Sequence, residues 1–272
     1  MRASRFDPGA CARLIVKIGS SLLVEPGGAP RRVWLGTLLD DVCERRTRGQ
    51  EIVLVSSGAI ALGARALGLA GGGRASLEDA QAAAAVGQIR LARLYEEMLE
   101  ARGLRAAQIL LTHGDLDDPD RARNAAATLD RLLALGAVPV LNENDSVATA
   151  EISFGDNDRL AAHVAQTARA GAILLLSDVD GLFTADPGVD SAATLIEEVS
   201  GPDPGLAARA DTHSGSGLGT GGMRAKLIAA QMAMAAGTDL AIISGRHDHP
   251  LRRFAETGRG TVFLRHRAEA AA

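Results

Sequence analysis

Lysine is nearly absent from this chain: its 29 basic residues are 27 Arg and two Lys, Lys17 and Lys226. Arginine presents a wide, planar guanidinium, whereas lysine presents a compact ammonium that fits against a single phosphate oxygen. The two survivors therefore mark positions that demand the smaller head. Carboxylates and amides gather at three further places, Asn142-Glu143-Asn144-Asp145, Asp156-Asn157-Asp158 and Ser177-Asp178. Phosphoryl transfer needs little covalent help from a protein; it needs cations on the oxygens of the transferred group, Mg²⁺, and an acceptor held in line. Two lysines, these acidic clusters and glycine-rich turns supply those parts.

The run Gly217-Leu218-Gly219-Thr220-Gly221-Gly222 matches GxGxxG by letter. A dinucleotide fingerprint requires a strand leading into the loop, and residues 205–214 are polar and irregular instead. Lys226 lies four residues beyond Gly222, so a Walker A motif is missed as well. What remains is a glycine-rich loop opening a helix with Lys226 in its first turns, a seat for phosphate through backbone donors and the helix dipole. Asp156-Asn157-Asp158 also opens a helix. Capping uses one of the three, which leaves others to hold an ammonium, orient a lysine or help bind Mg²⁺. Asp145 is a second carboxylate of this kind, with turn formation as its plain alternative. The six His have no metal-ligand spacing, and Cys11 and Cys43 form neither a disulfide framework nor a zinc motif.

These residues must be positioned by regular elements. Apolar runs predict strands over 14–18, 51–55, 107–111, 138–141, 172–176, 240–243 and 261–264, with helical spacing over 33–48, 59–68, 77–102, 121–135, 160–170 and 223–236. Residues 147–154 alternate as a short β-ribbon, and 181–215 are rich in Pro, Asp and Gly, with only Leu195, Ile196 and Val199 strand-like. Repeated strand–helix alternation argues for an α/β fold with a mainly parallel sheet and helices on both faces. Lys17, Ser57-Gly58, Asp145 and Ser177-Asp178 each follow or end a predicted strand, so they share the carboxyl edge where such sheets bind ligands. A lobe boundary near residue 171 divides one continuous domain into 1–170 and 171–272.

Composition narrows the partners. A formal charge of −4 with 47% hydrophobic residues suits a globular domain and gives no excess of cations for nucleic acid. No run reaches the length of a membrane span, and residues 1–11 carry two Arg and an Asp before any apolar stretch. The expectation is a soluble, cytoplasmic protein.

At this point the residues resemble the amino acid kinase family, and within it the branch whose acceptor is glutamate. The matching pieces are Val16-Lys17-Ile18-Gly19-Ser20-Ser21, Val55-Ser56-Ser57-Gly58-Ala59-Ile60, Asn142-Glu143-Asn144-Asp145, Gly155-Asp156-Asn157-Asp158, Ser177-Asp178 with Gly181-Leu182-Phe183-Thr184, and Gly219-Thr220-Gly221-Gly222-Met223 through Lys226. The Lys-Gly-Ser start and the Gly-Gly-Met-Lys loop are shared across the family; Asn-Glu-Asn-Asp followed by Gly-Asp-Asn-Asp is more specific.

The resemblance implies a three-layer αβα sandwich in which the N-terminal part binds the acceptor and the C-terminal part ATP. It implies transfer of the γ-phosphate to the side-chain carboxylate of L-glutamate, opening proline synthesis. Lys17 would stabilise the transferring phosphoryl group, Lys226 the leaving β/γ oxygens, and Asp158 would orient both lysines. Ser57, Gly58, Asp145 and Asn157 would bind glutamate. Ser177, Asp178, Thr220, Gly221, Gly222, Met223, Arg224, Ala225 and Lys226 would line the nucleotide site together with Lys17. Mg²⁺ would accompany ATP with no dedicated protein metal site, and homo-oligomers with feedback inhibition by proline are further expectations. Many members carry an extra C-terminal domain, and the expectation is of a catalytic domain without it. The alternatives are another acceptor, such as acetylglutamate, aspartate, carbamate or UMP, and a non-catalytic nucleotide-binding protein of the same fold.

Overall fold

Runs such as Leu-Ile-Val-Lys-Ile and Ile-Val-Leu-Val are apolar on both sides of the pleat, which suits strands covered by helices on each face. In the computed structural model, which describes residues 2–147, 157–201 and 222–265, they form the middle of one sheet. The elements are β1 (Arg13–Ile18), α1 (Ser20–Leu23), α2 (Arg32–Thr47), β2 (Glu51–Ser56), α3 (Ala59–Leu67), α4 (Leu77–Glu100), β3 (Arg105–Leu111), α5 (His113–Asp117), α6 (Pro119–Ala134), β4 (Ala137–Glu143), α7 (Asn157–Thr167), β5 (Ala172–Ser177), β6 (Glu198–Ser200), α8 (Met223–Ala235), β7 (Asp239–Ser244), α9 (Pro250–Thr257) and β8 (Thr261–Leu264). The strand order is β3-β4-β2-β1-β5-β7-β8-β6. All pairs are parallel except β7 with β8.

Strand alternation sorts the side chains into two cores, one on each face. Leu14, Val16, Ile18, Ile52 and Leu54 pack with Leu35 and Leu38 of α2 and with Leu91 and Tyr95 of α4. Ile15, Val53 and Val55 pack on the other side with Leu129 of α6, Leu160 and Val164 of α7 and Leu227 of α8. This is the expected three-layer αβα arrangement. Lys17 has the parity of Ile15, so it points to the face that carries α7 and α8.

From β1 the chain builds β2, β3 and β4 on one side, then crosses back to place β5 on the other side of β1. That reversal is a topological switch point, the place where open α/β sheets form a crevice at their carboxyl ends. Lys17 is the penultimate residue of β1, paired in register with Val55 and Leu175.

Several elements differ from the sequence expectation. The turn after β1 is the single-turn helix α1. Strand β4 runs on through Asn142 and Glu143, which places those two in the sheet instead of in the turn. Helices α5 and α9 were not foreseen, since five and eight residues are too few for a helical period to show. The first is fixed by a capping box between Thr112 and Asp115; the second opens with Pro250, a favoured first helical residue. The β-ribbon beyond Val147, Gly155-Asp156 and the loop from Gly215 through Thr220 and Gly221 lie outside the described residues. No described helix is long and apolar enough to cross a membrane.

Candidate active site

Lys17 and Lys226, 209 positions apart in sequence, meet on one carboxylate. Lys17 Nζ lies 2.6 Å from Asp158 Oδ1, and Lys226 Nζ donates to Asp158 Oδ2 at 3.2 Å. Strand parity aims Lys17 at the α7–α8 face, Asp158 is the second residue of α7, and Lys226 is the fourth of α8. All three are buried: Lys17 is 4% exposed, Lys226 7% and Asp158 1%. Burial alone would raise the Asp158 pKa; the charges of Lys17 and Lys226 and their hydrogen bonds outweigh it and hold the carboxyl below its ordinary range. Among these three side chains two ammonium groups share one carboxylate.

A second group forms at the ends of β2 and β4. Asn157, the first residue of α7, donates one amide hydrogen to Ser57 Oγ and the other to Asn142 Oδ1, each at 3.1 Å. Its Oδ1 accepts from Glu143 N at 3.2 Å. Asn142 in turn donates to Gln88 Oε1 of α4 at 2.7 Å. Beneath Ser57, Tyr95 donates to Ser56 Oγ at 2.9 Å; burial pushes its phenol well up, so it remains a donor. Gly58 caps α3 in the left-handed region at φ 113°. A Cβ there would also sit 3.2 Å from Leu23 and 3.3 Å from Val24, so only glycine fits. Asp145 lines a cleft of about 270 Å³ with Ala84, Gln88, Gln108 and Glu143; Asp145 and Glu143 are both buried.

Helix α3 is held to α4 at very close range. A Cβ on Gly63 would lie 1.8 Å from the Ala83 carbonyl oxygen, and one on Gly87 1.7 Å from that of Ala59. This crossing fixes the Ser57-Gly58 turn from above.

On the other side of Lys17, β5 delivers Ser177 and Asp178. Ser177 Oγ donates to Asp178 Oδ1 at 3.3 Å, and Gly245 N, after β7, donates to the Ser177 carbonyl at 2.7 Å. Gly222 is the N-cap of α8 with no side-chain cap, and Met223, Arg224, Ala225 and Lys226 form the first turn behind it. Gln88 and Tyr95 were missed from sequence. They sit in an Ala- and Leu-rich helix where only their polarity at inward positions would have signalled them. Among the described residues no group of three His, Cys, Asp or Glu could hold a metal ion.

The switch point of this αβα sheet thus holds a buried Lys–Asp–Lys cluster, with a hydrogen-bonded polar wall on one side and a helix start without a side-chain cap on the other. The chain belongs to the amino acid kinase family, whose model matches residues 12–244. It is 59% identical to a glutamate 5-kinase from Sphingopyxis alaskensis over 98% of this chain and 72% of that one. It is 54% identical to that of Zymomonas mobilis (95% and 65%) and 58% to that of Novosphingobium aromaticivorans (96% and 69%). Solved UMP kinases from Bacillus anthracis and Ureaplasma parvum share the fold at 15% identity, with TM-scores of 0.61 and 0.62 over 93% of this chain and 96% and 98% of theirs.

Proposed function

We infer that the chain phosphorylates the side-chain carboxylate of L-glutamate with ATP, giving L-glutamyl 5-phosphate and opening proline synthesis. The observation that carries the mechanism is the convergence of Lys17 and Lys226 on Asp158. A carboxylate is already ionised at neutral pH, so no general base is needed. A side-chain carboxylate oxygen forms a bond to the γ-phosphorus, the bond from that phosphorus to the β,γ-bridging oxygen breaks, and ADP leaves with the electron pair. Two anions must be held together, and cations between them offset the repulsion most where charge concentrates in the transition state.

In this reading Lys17, at the end of the central strand, lies on the transferring group, and Lys226 lies on the β/γ oxygens, with the start of α8 behind it. Asp158 holds both ammonium heads at fixed positions. Ser57, Gly58, Asn157 and Asp145 bind glutamate on the β2–β4 side; Ser177, Asp178 and residues 220–226 bind the nucleotide on the β5–β7 side. Residues 1–170 then serve as the acceptor lobe and 171–272 as the nucleotide lobe of one domain. When bound with ATP, Mg²⁺ would neutralise phosphate charge and would be held through the nucleotide, since among the described residues no group of three His, Cys, Asp or Glu could hold it. The buried carboxylates Glu143 and Asp145 favour an acceptor with an ammonium group and disfavour a nucleotide phosphate such as that of UMP.

Hydroxylamine trapping of the acyl phosphate, with ATP, Mg²⁺ and each acceptor in turn, tests the assignment. Hydroxamate formed with L-glutamate and not with aspartate or acetylglutamate is expected; none with glutamate would refute it. Feedback by proline and homo-oligomer formation complete the proposal, the second supported by Ile89 and Leu110, both exposed beside the open edge strand β3. Proline titration of the same assay and sedimentation equilibrium measure them.

A further inference from the structure

Three side-chain amides stand in series between Ser57 and α4, and a single backbone group sets which way each one faces. The Glu143 N–H can only donate, so the Asn157 atom 3.2 Å from it is the amide oxygen. The Asn157 nitrogen is thereby given to Ser57 Oγ and to Asn142, each at 3.1 Å. Asn142 meets it with its own oxygen, which leaves the Asn142 nitrogen to donate to Gln88 Oε1 at 2.7 Å. The last member of the series therefore spends its oxygen on the protein and keeps the two hydrogens on Nε2 for what lies beyond. Gln88 is half-buried and lines the cleft of about 270 Å³ with Ala84, Glu143, Asn144 and Asp145. Its backbone is held in place by its neighbour: a Cβ on Gly87 would lie 1.7 Å from the carbonyl oxygen of Ala59, two residues after Ser57.

Glu143 and Asp145 are buried carboxylates; they suit an ammonium and repel a carboxylate next to it. An α-amino acid carries both on one carbon. We propose that Gln88 determines acceptor specificity by donating from Nε2 to the α-carboxylate of the amino acid whose ammonium lies on Asp145. A neutral donor held in one sense among carboxylates admits that second anion, and a hydrogen bond to an ionised acceptor is stronger than one between neutral groups. The side-chain carboxylate is then left toward the other end of the series, Ser57, whose backbone N donates at 3.1 Å to the carbonyl of Ile18, the residue after Lys17. This inference rests on the glutamate reading.

Two variants of matched length separate this contact from the other things Gln88 does. Gln88→Glu keeps an oxygen to accept from Asn142, so the amide series survives, and loses the donor. Gln88→Met adds no charge to the cleft, and loses donor and series alike. What both variants lack is the donor. Hydroxamate kinetics are expected to show KM for L-glutamate raised about tenfold in each, or about 1.4 kcal/mol, with kcat within about threefold and KM for ATP unmoved. A glutamate KM within about threefold of wild type in either variant overturns the assignment: in Gln88→Glu it would show that Gln88 matters only as an acceptor, in Gln88→Met that only an added charge is felt. Should Gln88→Glu fail to fold in a thermal shift, Gln88→Met is read on 4-aminobutanoate beside glutamate, since that molecule keeps the amine and the reacting carboxylate but lacks the α-carboxylate. A loss confined to glutamate upholds the contact, and an equal loss on both overturns it. No hydroxamate from the wild type with glutamate overturns the glutamate reading, and this inference with it.

Discussion

Replacing Asp158 by Asn keeps the shape of the cluster and removes the negative charge that Lys17 and Lys226 share. The two ammonium groups, 2.6 and 3.2 Å from the carboxylate oxygens, then lose the buried carboxylate they share, and breaking a buried pair costs about 3–5 kcal/mol in comparable cases. For a chain of this size that corresponds to a fall in melting temperature of roughly 10 °C. Turnover should fall about a hundredfold or more, close to 2.7 kcal/mol of barrier, because the lysines repel and leave the positions that match the transferring group. Mg²⁺–ATP should behave in the opposite way. Its phosphates replace the missing charge, so saturating nucleotide should raise the melting temperature of the variant by more than that of the wild type. The pH dependence has a defined sign. The folded carboxyl has a depressed pKa, so its stabilisation is present above the unfolded value near 3.9 and is lost as pH falls through the lower folded value. Asp158→Asn should therefore lack that part of the acid limb below about pH 4. Thermal shift with and without Mg²⁺–ATP, beside the hydroxamate assay, reads all of this. A variant within 2 °C and threefold of wild type, or one stabilised less by ATP, would refute the clamp.

Three further outcomes follow from the same geometry. Lys17→Arg and Lys226→Arg should each lower kcat at least about tenfold, because both positions are enclosed and the wider guanidinium cannot occupy the ammonium site; near-normal turnover in steady-state assays would count against the assigned roles. Gly87→Ala should destabilise the fold by about 3 kcal/mol or more and raise KM for the acceptor, since the added methyl meets the Ala59 carbonyl at 1.7 Å and parts α3 from α4; denaturant melts and acceptor titrations check both. Tyr95→Phe should cost about 1–2 kcal/mol by leaving Ser56 Oγ without its donor at 2.9 Å, with a smaller change in turnover, measured by chemical denaturation and the hydroxamate assay.

The central strands were legible because a strand buried on both faces needs an uninterrupted apolar run, and β1, β2 and β5 have one. Lys17 could be picked out because it breaks such a run, and Lys226 because so few lysines remain. What the sequence does not display is direction. Nothing in the letters says that Lys17 shares the parity of Ile15 and so points toward α7 and α8; that emerges only when both flanking strands and both covering helices are in place. Likewise Asn142 and Asn157 each resemble ordinary turn or cap residues, and only the register of β4 with the start of α7 turns them into one hydrogen-bonded wall with Ser57 and Gln88.

The same difference between local and assembled information explains why polar residues survive in such a buried place. Asn157 uses both amide hydrogens and its carbonyl oxygen on protein partners, and Asp158, the next residue, uses both oxygens on lysines. One turn of helix therefore anchors the acceptor wall with its first side chain and the cationic clamp with its second. Because adjacent helix residues point about 100° apart, any rotation or slip of α7 moves both groups at once and in different directions. In the proposed reading, coupling the two halves of the site through a single helical start would tie the acceptor position to the phosphate position, and bringing those two together is the geometric requirement of in-line transfer between two anions.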